Sequence, residues 1–305
     1  MSLISVCFAV YQNEGALTKL YDAIVGVMEN NFPHHEFELL FVNDGSRDGS
    51  EAELRELKNK TQDERIKIIS FSRNFGQMAA ILAAWHYAKG DAVINMAADL
   101  QDPPEQCIEM IHEWEAGNEI VISYRRSHRT SFFNQLTSKA FYKLLLSTVP
   151  PGGFDFALLD RKALDAINKN KERNRFYQYD ILSVGFKLKF IPYNKLERTI
   201  GFSQYNFFKR FGNFMVAFIN VSYFPLRFMT FLGFLFALSG LLYSLDIVYA
   251  FYINDVPFSG WAPMMILLLV IGGLIMVMLG ILGEYVWRVF DEVKGRPIYI
   301  VDKIF

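Results

Sequence analysis

The chain has 305 residues, of which 52% are hydrophobic and 29 are phenylalanine, with a net charge of −1. Near-neutrality excludes a global pull toward nucleic acid, and the apolar excess fits a chain with lipid contact. The two cysteines, Cys7 and Cys107, sit in apolar settings without metal-ligand spacing, which suits buried thiols in a reducing compartment.

Taken in chain order, the first 125 residues alternate between two hydrophobic periods. Leu3–Val10 reads as a strand; no basic segment precedes it, so no signal peptide is expected. Gly15–Met28 has helical spacing, with Leu17, Leu20, Tyr21, Ile24 and Val27 on one face. Phe37–Val42 is a strand stopped by Asn43-Asp44-Gly45-Ser46, and Glu51–Lys60 is a charged helix. Then come a strand at Ile66–Phe71, a small-residue helix at Gly76–Ala88 and a strand at Ala92–Met96. A helix over Pro103–Ala116, with proline in its first turn, leads to a strand at Glu119–Ser123. Repeated βα units predict an α/β domain with a mostly parallel sheet and helices on both faces. Beyond it, helices are expected at Ser131–Leu146 and Arg161–Asn168, and strands at Phe154–Leu159 and Lys187–Ile191.

Gln204–Tyr223 carries Phe207, Phe208, Phe211, Phe214, Met215, Phe218 and Ile219 at helical spacing beside Lys209 and Arg210. An amphipathic helix in the headgroup plane is expected there, in preference to a core helix. Between Arg227 and Glu284 the only charges are Asp246 and Asp255. Phe228–Tyr252 and Met264–Gly283 are each long enough to cross a hydrocarbon core of ~30 Å. Arg227 precedes them, Arg288, Lys294 and Arg296 follow, and the loop around Asp255, Pro257, Ser259 and Gly260 has no Lys or Arg. Both ends are therefore expected in the cytoplasm. The resulting division is a globular cytosolic domain at 1–203, the amphipathic helix at 204–224, two transmembrane helices at 225–284 and a cytoplasmic tail at 285–305. The expected location is the cytoplasmic membrane, multi-pass.

Four polar signatures end four successive strands: Val10-Tyr11-Gln12-Asn13-Glu14, Asn43 through Ser50, Ser72-Arg73-Asn74-Phe75-Gly76-Gln77, and Asp99-Leu100-Gln101-Asp102-Pro103-Pro104-Glu105. Singly, Asp44 and Ser46 could be turn chemistry and Asp102 a helix N-cap. Together they make one crevice beyond the carboxyl ends of the strands, where such sheets bind ligands. A strand-end carboxylate takes base N–H groups or ribose hydroxyls. Asp99 with Gln101 or Asp102 offers hard oxygens to Mg²⁺ or Mn²⁺, and Arg73 offsets phosphate charge. The crevice suits a nucleotide diphosphate. After the fifth strand, Tyr124-Arg125-Arg126-Ser127-His128-Arg129 is expected to bind an anionic acceptor rather than to be a solvated loop.

With the tail Gly283-Glu284-Tyr285 and Glu292-Val293-Lys294-Gly295-Arg296-Pro297, these motifs resemble the inverting family 2 glycosyltransferases of GT-A fold. Within them the resemblance is to the polyprenyl-phosphate glycosyltransferases, such as bactoprenol glucosyltransferases and dolichol-phosphate mannose synthases. It implies a GT-A, Rossmann-like domain that transfers a sugar from a nucleotide-sugar, usually UDP-linked, to polyprenyl phosphate, in a membrane-bound homo-oligomer, a tetramer. It also implies a nucleotide-sugar site of Val10, Tyr11, Asn13, Glu14, Asp44, Ser46, Arg73, Gln77, Ala98 and Asp99. Asp99 and Gln101 would hold Mg²⁺ or Mn²⁺. Arg125, Arg126, Arg129, Ser203 and Lys209 would hold the acceptor phosphate, with Asp99, Asp155 and Arg125 catalytic. This sequence departs from the family pattern in four places. Ala97-Ala98-Asp99 stands for Asp-Ala-Asp, Phe154-Asp155-Phe156-Ala157 for Gly-Asp-Phe-Arg and Gly201-Phe202-Ser203-Gln204 for Gly-x-Ser-Lys; Asn134-Gln135 replaces a basic residue. The alternatives are a catalytically impaired sugar-nucleotide-binding subunit and a short processive glycan synthase, which would need a Gln-x-x-Arg-Trp motif this chain lacks.

Overall fold

The computed structural model describes residues 1–125, 154, 156–170, 172–173, 175–194, 196, 228–229, 231–236, 238–240, 242–243, 245, 249 and 260–305. The expected helices at Ser131–Leu146 and Gln204–Tyr223 lie outside the described residues, as does most of the first apolar stretch.

The first unit, residues 1–213 with 297–305, is built on one eight-stranded sheet. Its strands are β1 (Leu3–Val10), β2 (Glu36–Asn43), β3 (Ile66–Phe71), β4 (Ala92–Ala97), β5 (Ile120–Arg125), β6 (Phe156–Asp160), β7 (Leu188–Tyr193) and β8 (Val301–Ile304). The spatial order is β7-β5-β6-β4-β1-β2-β3-β8. β1 pairs in parallel with β2 and β4, β2 with β3, and β5 with β7; β6 and β8 run antiparallel to their neighbours.

The central strands are continuous apolar runs because both faces are covered. Alternate residues of β1 separate into two cores. Ile4, Val6 and Phe8 face α1 (Leu17–Asn31), α2 (Ser50–Thr61) and α4 (Gln106–Glu115) through Leu20, Ile24, Leu54 and Met110. Cys7, with Leu40 and Val42 of β2, faces α3 (Gln77–Tyr87), α5 (Arg161–Asn168) and α6 (Tyr177–Ser183). In α3, Ala79, Ala80, Ala83 and Ala84 are all buried, so this helix lies close on the sheet. Both cysteines are buried free thiols, with ionisation disfavoured by burial.

Most expected elements are present within a residue or two. Pro103 and Pro104 fall outside α4: their carbonyls accept from Gln106 and Cys107 N–H at 3.0 Å each, and the helix starts at Gln106. The seven-residue α6 and the four-residue β8 were not expected. Of the segment after Glu284, residues up to Val293 continue a helix, whereas Val301–Ile304 form a strand on the edge of β3. There Tyr299 stacks on Phe71 at 5.0 Å and Arg55 covers the ring of Phe305 at 4.6 Å.

The second unit is residues 214–296. Its 33-residue helix α7 (Trp261–Val293) is about 50 Å long at 1.5 Å per residue. Val270–Val293 has a mean hydropathy of 1.9 and none of it is buried. Met264, Leu268 and Met276 are each about two-thirds exposed, so this is no core helix of a soluble domain. Among the described residues it is the one helix long and apolar enough to cross a membrane. The described residues from 228 to 249 are also helical.

Candidate active site

The spatial order β3-β2-β1-β4 reverses direction between β1 and β4, so their carboxyl ends open a crevice at the switch point. Val10 and Asn43 end β1 and β2 side by side. Beyond them the two loops are laced together. Gln12 N–H donates to Ser46 Oγ at 3.1 Å, and Ser46 N–H to Asn43 Oδ1 at 3.1 Å. Asn13 Oδ1 accepts from Tyr11 N–H, and Asn13 N–H donates to Ser50 Oγ, each at 2.9 Å. Glu14 accepts from Gly49 N–H at 2.9 Å, which places a carboxylate at the start of α2, where the helix dipole favours it. Gln12 has φ +55°, an uncommon conformation for a side-chain-bearing residue and one concentrated at functional sites.

Asp44 ends β2 and is 2% exposed. Its carboxylate accepts from Phe75 N–H at 2.6 Å, Gly76 N–H at 2.9 Å and Asn74 Nδ2 at 3.0 Å. Burial pushes its pKa up, and the two backbone N–H bonds and nearby Arg73 pull it back. Asp44 therefore anchors the loop between β3 and α3. Gly45 makes the approach possible. At φ +62°, a Cβ there would collide with the Arg73 carbonyl carbon. Arg73 itself is exposed and lies over the Phe75 ring at 4.1 Å, and exposed Gln77 opens α3.

At the end of β4, Ala98 is buried and Asp99 and Gln101 are half-buried. Leu100 between them has φ +58°, and Asp99 Oδ1 accepts from Gln101 N–H at 3.2 Å. Asp102 is fully buried and is not a helix cap, since α4 is preceded by Glu105 without a side-chain cap. Its Oδ2 accepts from Ala97 N–H at 3.3 Å and its Oδ1 from Tyr193 Oη at 2.7 Å. Leu196 N–H donates to the Gln101 carbonyl at 2.8 Å. Tyr193 ends β7 directly beside Arg125, which ends β5. Burial and Asp102 push the Tyr193 phenol well above its usual range, and the Arg125 side chain beside it pulls the other way. Tyr193 was not expected in the site; its one sequence signal is a polar-tipped aromatic at a strand end.

The structure thus joins Val10, Tyr11, Asn13, Glu14 and Ser46 in one laced corner, and Asp44 with the Arg73 loop. It places Asp99 and Gln101 on one turn and sets Arg125 beside Tyr193, whose hydroxyl bonds Asp102 of that same segment. Asp155, Arg126, Arg129, Ser203 and Lys209 lie outside the described residues.

The family described as Glycosyl transferase family 2 matches residues 5–190, more than half of the chain. This chain belongs to that family. It is a glycosyltransferase with a GT-A fold. It is 37% identical to the uncharacterized glycosyltransferase YkcC of Bacillus subtilis, over 99% of this chain and 94% of the relative. With the bactoprenol glucosyl transferase of Shigella phage SfII it shares 32% identity, over 98% of this chain and 97% of the relative. In fold it is similar to mannosyl-3-phosphoglycerate synthase from Rubrobacter xylanophilus, with a TM-score of 0.52 at 15% identity and 74% of each chain covered.

Proposed function

We propose that this glycosyltransferase moves a sugar from a UDP-linked donor to polyprenyl phosphate at the cytoplasmic face of a membrane. The observation that carries this reading is the end-to-end similarity to bactoprenol glucosyl transferases, over 98% of the chain. The crevice chemistry agrees with it. In this reading the corner of Val10, Tyr11, Asn13, Glu14 and Ser46 receives the nucleoside. The Asp44-anchored loop presents Arg73 and Gln77 to the diphosphate, with Ala98 and Asp99 completing the donor site. Arg125 docks the acceptor phosphate by charge-assisted hydrogen bonds. Arg126, Arg129, Ser203 and Lys209 assist it, and Asp155 orients the sugar.

A lipid phosphate is already an anion at neutral pH, so the reaction needs positioning and charge stabilisation more than a strong base. Its oxygen forms the new bond to the anomeric carbon as the bond to the donor diphosphate breaks on the opposite face, which inverts the configuration. Asp99 and Gln101 supply a carboxylate and an amide oxygen on one turn, hard donors that fit Mg²⁺ or Mn²⁺ completed by water and phosphate oxygens. Asp102, fully buried and already accepting from Ala97 N–H and Tyr193, offers less accessible oxygens than these two. When bound, the ion would stabilise the departing diphosphate. We place α7 across the bilayer, preceded by a first crossing at 228–252 and an interfacial helix at 204–224, in a multi-pass homo-oligomer, a tetramer.

The test is a donor screen with undecaprenyl phosphate in detergent micelles and mass detection of the lipid product. A glycosyl-phosphate lipid formed from a UDP-sugar is expected. Failure to form it from any nucleotide-sugar, with the protein folded and nucleotide-bound, would overturn the reading.

A further inference from the structure

The acceptor side and the Asp99–Gln101 turn meet at one buried hydroxyl group. Tyr193 is 5% exposed, and its ring packs edge-on against Phe156 at 5.8 Å. A phenol has one proton to give and lone pairs to accept with. The proton goes to Asp102 Oδ1 at 2.7 Å, and the neighbouring Arg125 guanidinium acts on the same phenol. Asp102 passes the constraint on through its other oxygen, which accepts from Ala97 N–H two residues before Asp99. The main chain reinforces the link, because Arg125 and Tyr193 are register partners of β5 and β7 and Leu196 N–H holds the Gln101 carbonyl.

We propose that Tyr193 is a positioning residue: its hydroxyl sets the distance and orientation of the Arg125 guanidinium relative to the Asp99–Gln101 turn. The inference rests on reading Arg125 as the acceptor-phosphate group. A phenylalanine would fill the same space beside Phe156, so packing does not require the oxygen. Packing alone would also leave Asp102 with a buried charge and one partner fewer, a costly state. The hydroxyl satisfies Asp102 and restrains Arg125 together. A long flexible side chain is thereby held at one place before the lipid phosphate arrives.

The experiment is a double-mutant cycle on the full chain in detergent, with UDP-glucose, Mn²⁺ and undecaprenyl phosphate. Tyr193→Phe should raise the acceptor KM about fivefold or more, while UDP affinity stays within about twofold. In the Arg125→Ala background, Tyr193→Phe should change the acceptor KM by less than about twofold, because the residue it acts through is gone. An unchanged acceptor KM in Tyr193→Phe, or the same factor in both backgrounds, overturns the proposal. Equal losses of UDP affinity and acceptor affinity would mean a merely structural role and also overturn it. If Arg125→Ala alone leaves the acceptor KM unchanged, the reading of Arg125 fails instead, and the proposal falls with it. Should Tyr193→Phe not fold, Asp102→Asn replaces it: an oxygen remains for the phenol, the charge that orders the link is lost, and the same non-additivity is expected.

Discussion

The two halves of the crevice are built differently. At the ends of β1, β2 and β3, several polar side chains bond nearby main-chain N–H groups, as Asp44 does with Phe75 and Gly76 and Glu14 with Gly49. At the ends of β4, β5 and β7, the organising link is between side chains, through Asp102, Tyr193 and Arg125. Main-chain partners cannot rotate away, so the first half is fixed by the fold itself. The second is held by a few rotatable groups in a buried setting, where each bond matters more. On the proposed reading, this difference sets a rigid nucleotide pocket beside a tuned acceptor pocket.

Asp99, on the turn after β4, is read as completing the donor site, and its loss should have the largest effect. Asp99→Asn is expected to lower kcat by about 100-fold or more, and EDTA should abolish turnover of the parent protein. Full activity in EDTA would remove the ion from the site. Next is Arg125→Ala, which should raise the acceptor KM about 10-fold or more with UDP affinity preserved, Arg125→Lys falling between because it lacks the planar fork. A matching loss of UDP affinity would erase the distinction between the halves. Gly45→Ala tests the rigid half: the collision with Arg73 should cost about 1–3 kcal/mol in unfolding free energy and weaken UDP binding, with the acceptor KM unmoved. The smallest effect is expected from Ala97→Asp, a gain of a few-fold at most in kcat if a second carboxylate joins the Asp99 set. A fall would mean that the alanine belongs to the native turn, whose N–H Asp102 already holds.

The same contrast explains what the sequence made legible. The laced corner was readable because its parts are short polar motifs following strong strand patterns, and motifs at strand ends must converge in a parallel sheet. Even there, proximity was legible and bonding was not: no local pattern announces that Asp44 accepts from Asn74, Phe75 and Gly76 of the loop after β3. The link at Tyr193 joins residues 91 positions apart, and no local pattern encodes such a contact. Asp102 resembled a helix cap because it sits just before Pro103 and Pro104, a sequence signal shared by caps and by buried carboxylates. β8 was missed because four residues after a long apolar helix carry too little periodicity to announce a strand.

The pairing of β8 with β3 also bears on how the protein is made. During synthesis β3 emerges early, whereas its partner follows α7 in the chain. Until then β3 presents an open edge, the kind of surface that recruits stray strands. Completion of the sheet therefore waits on translation through the apolar helix, and a chain stalled before β8 would carry the aggregation hazard of an unfinished domain.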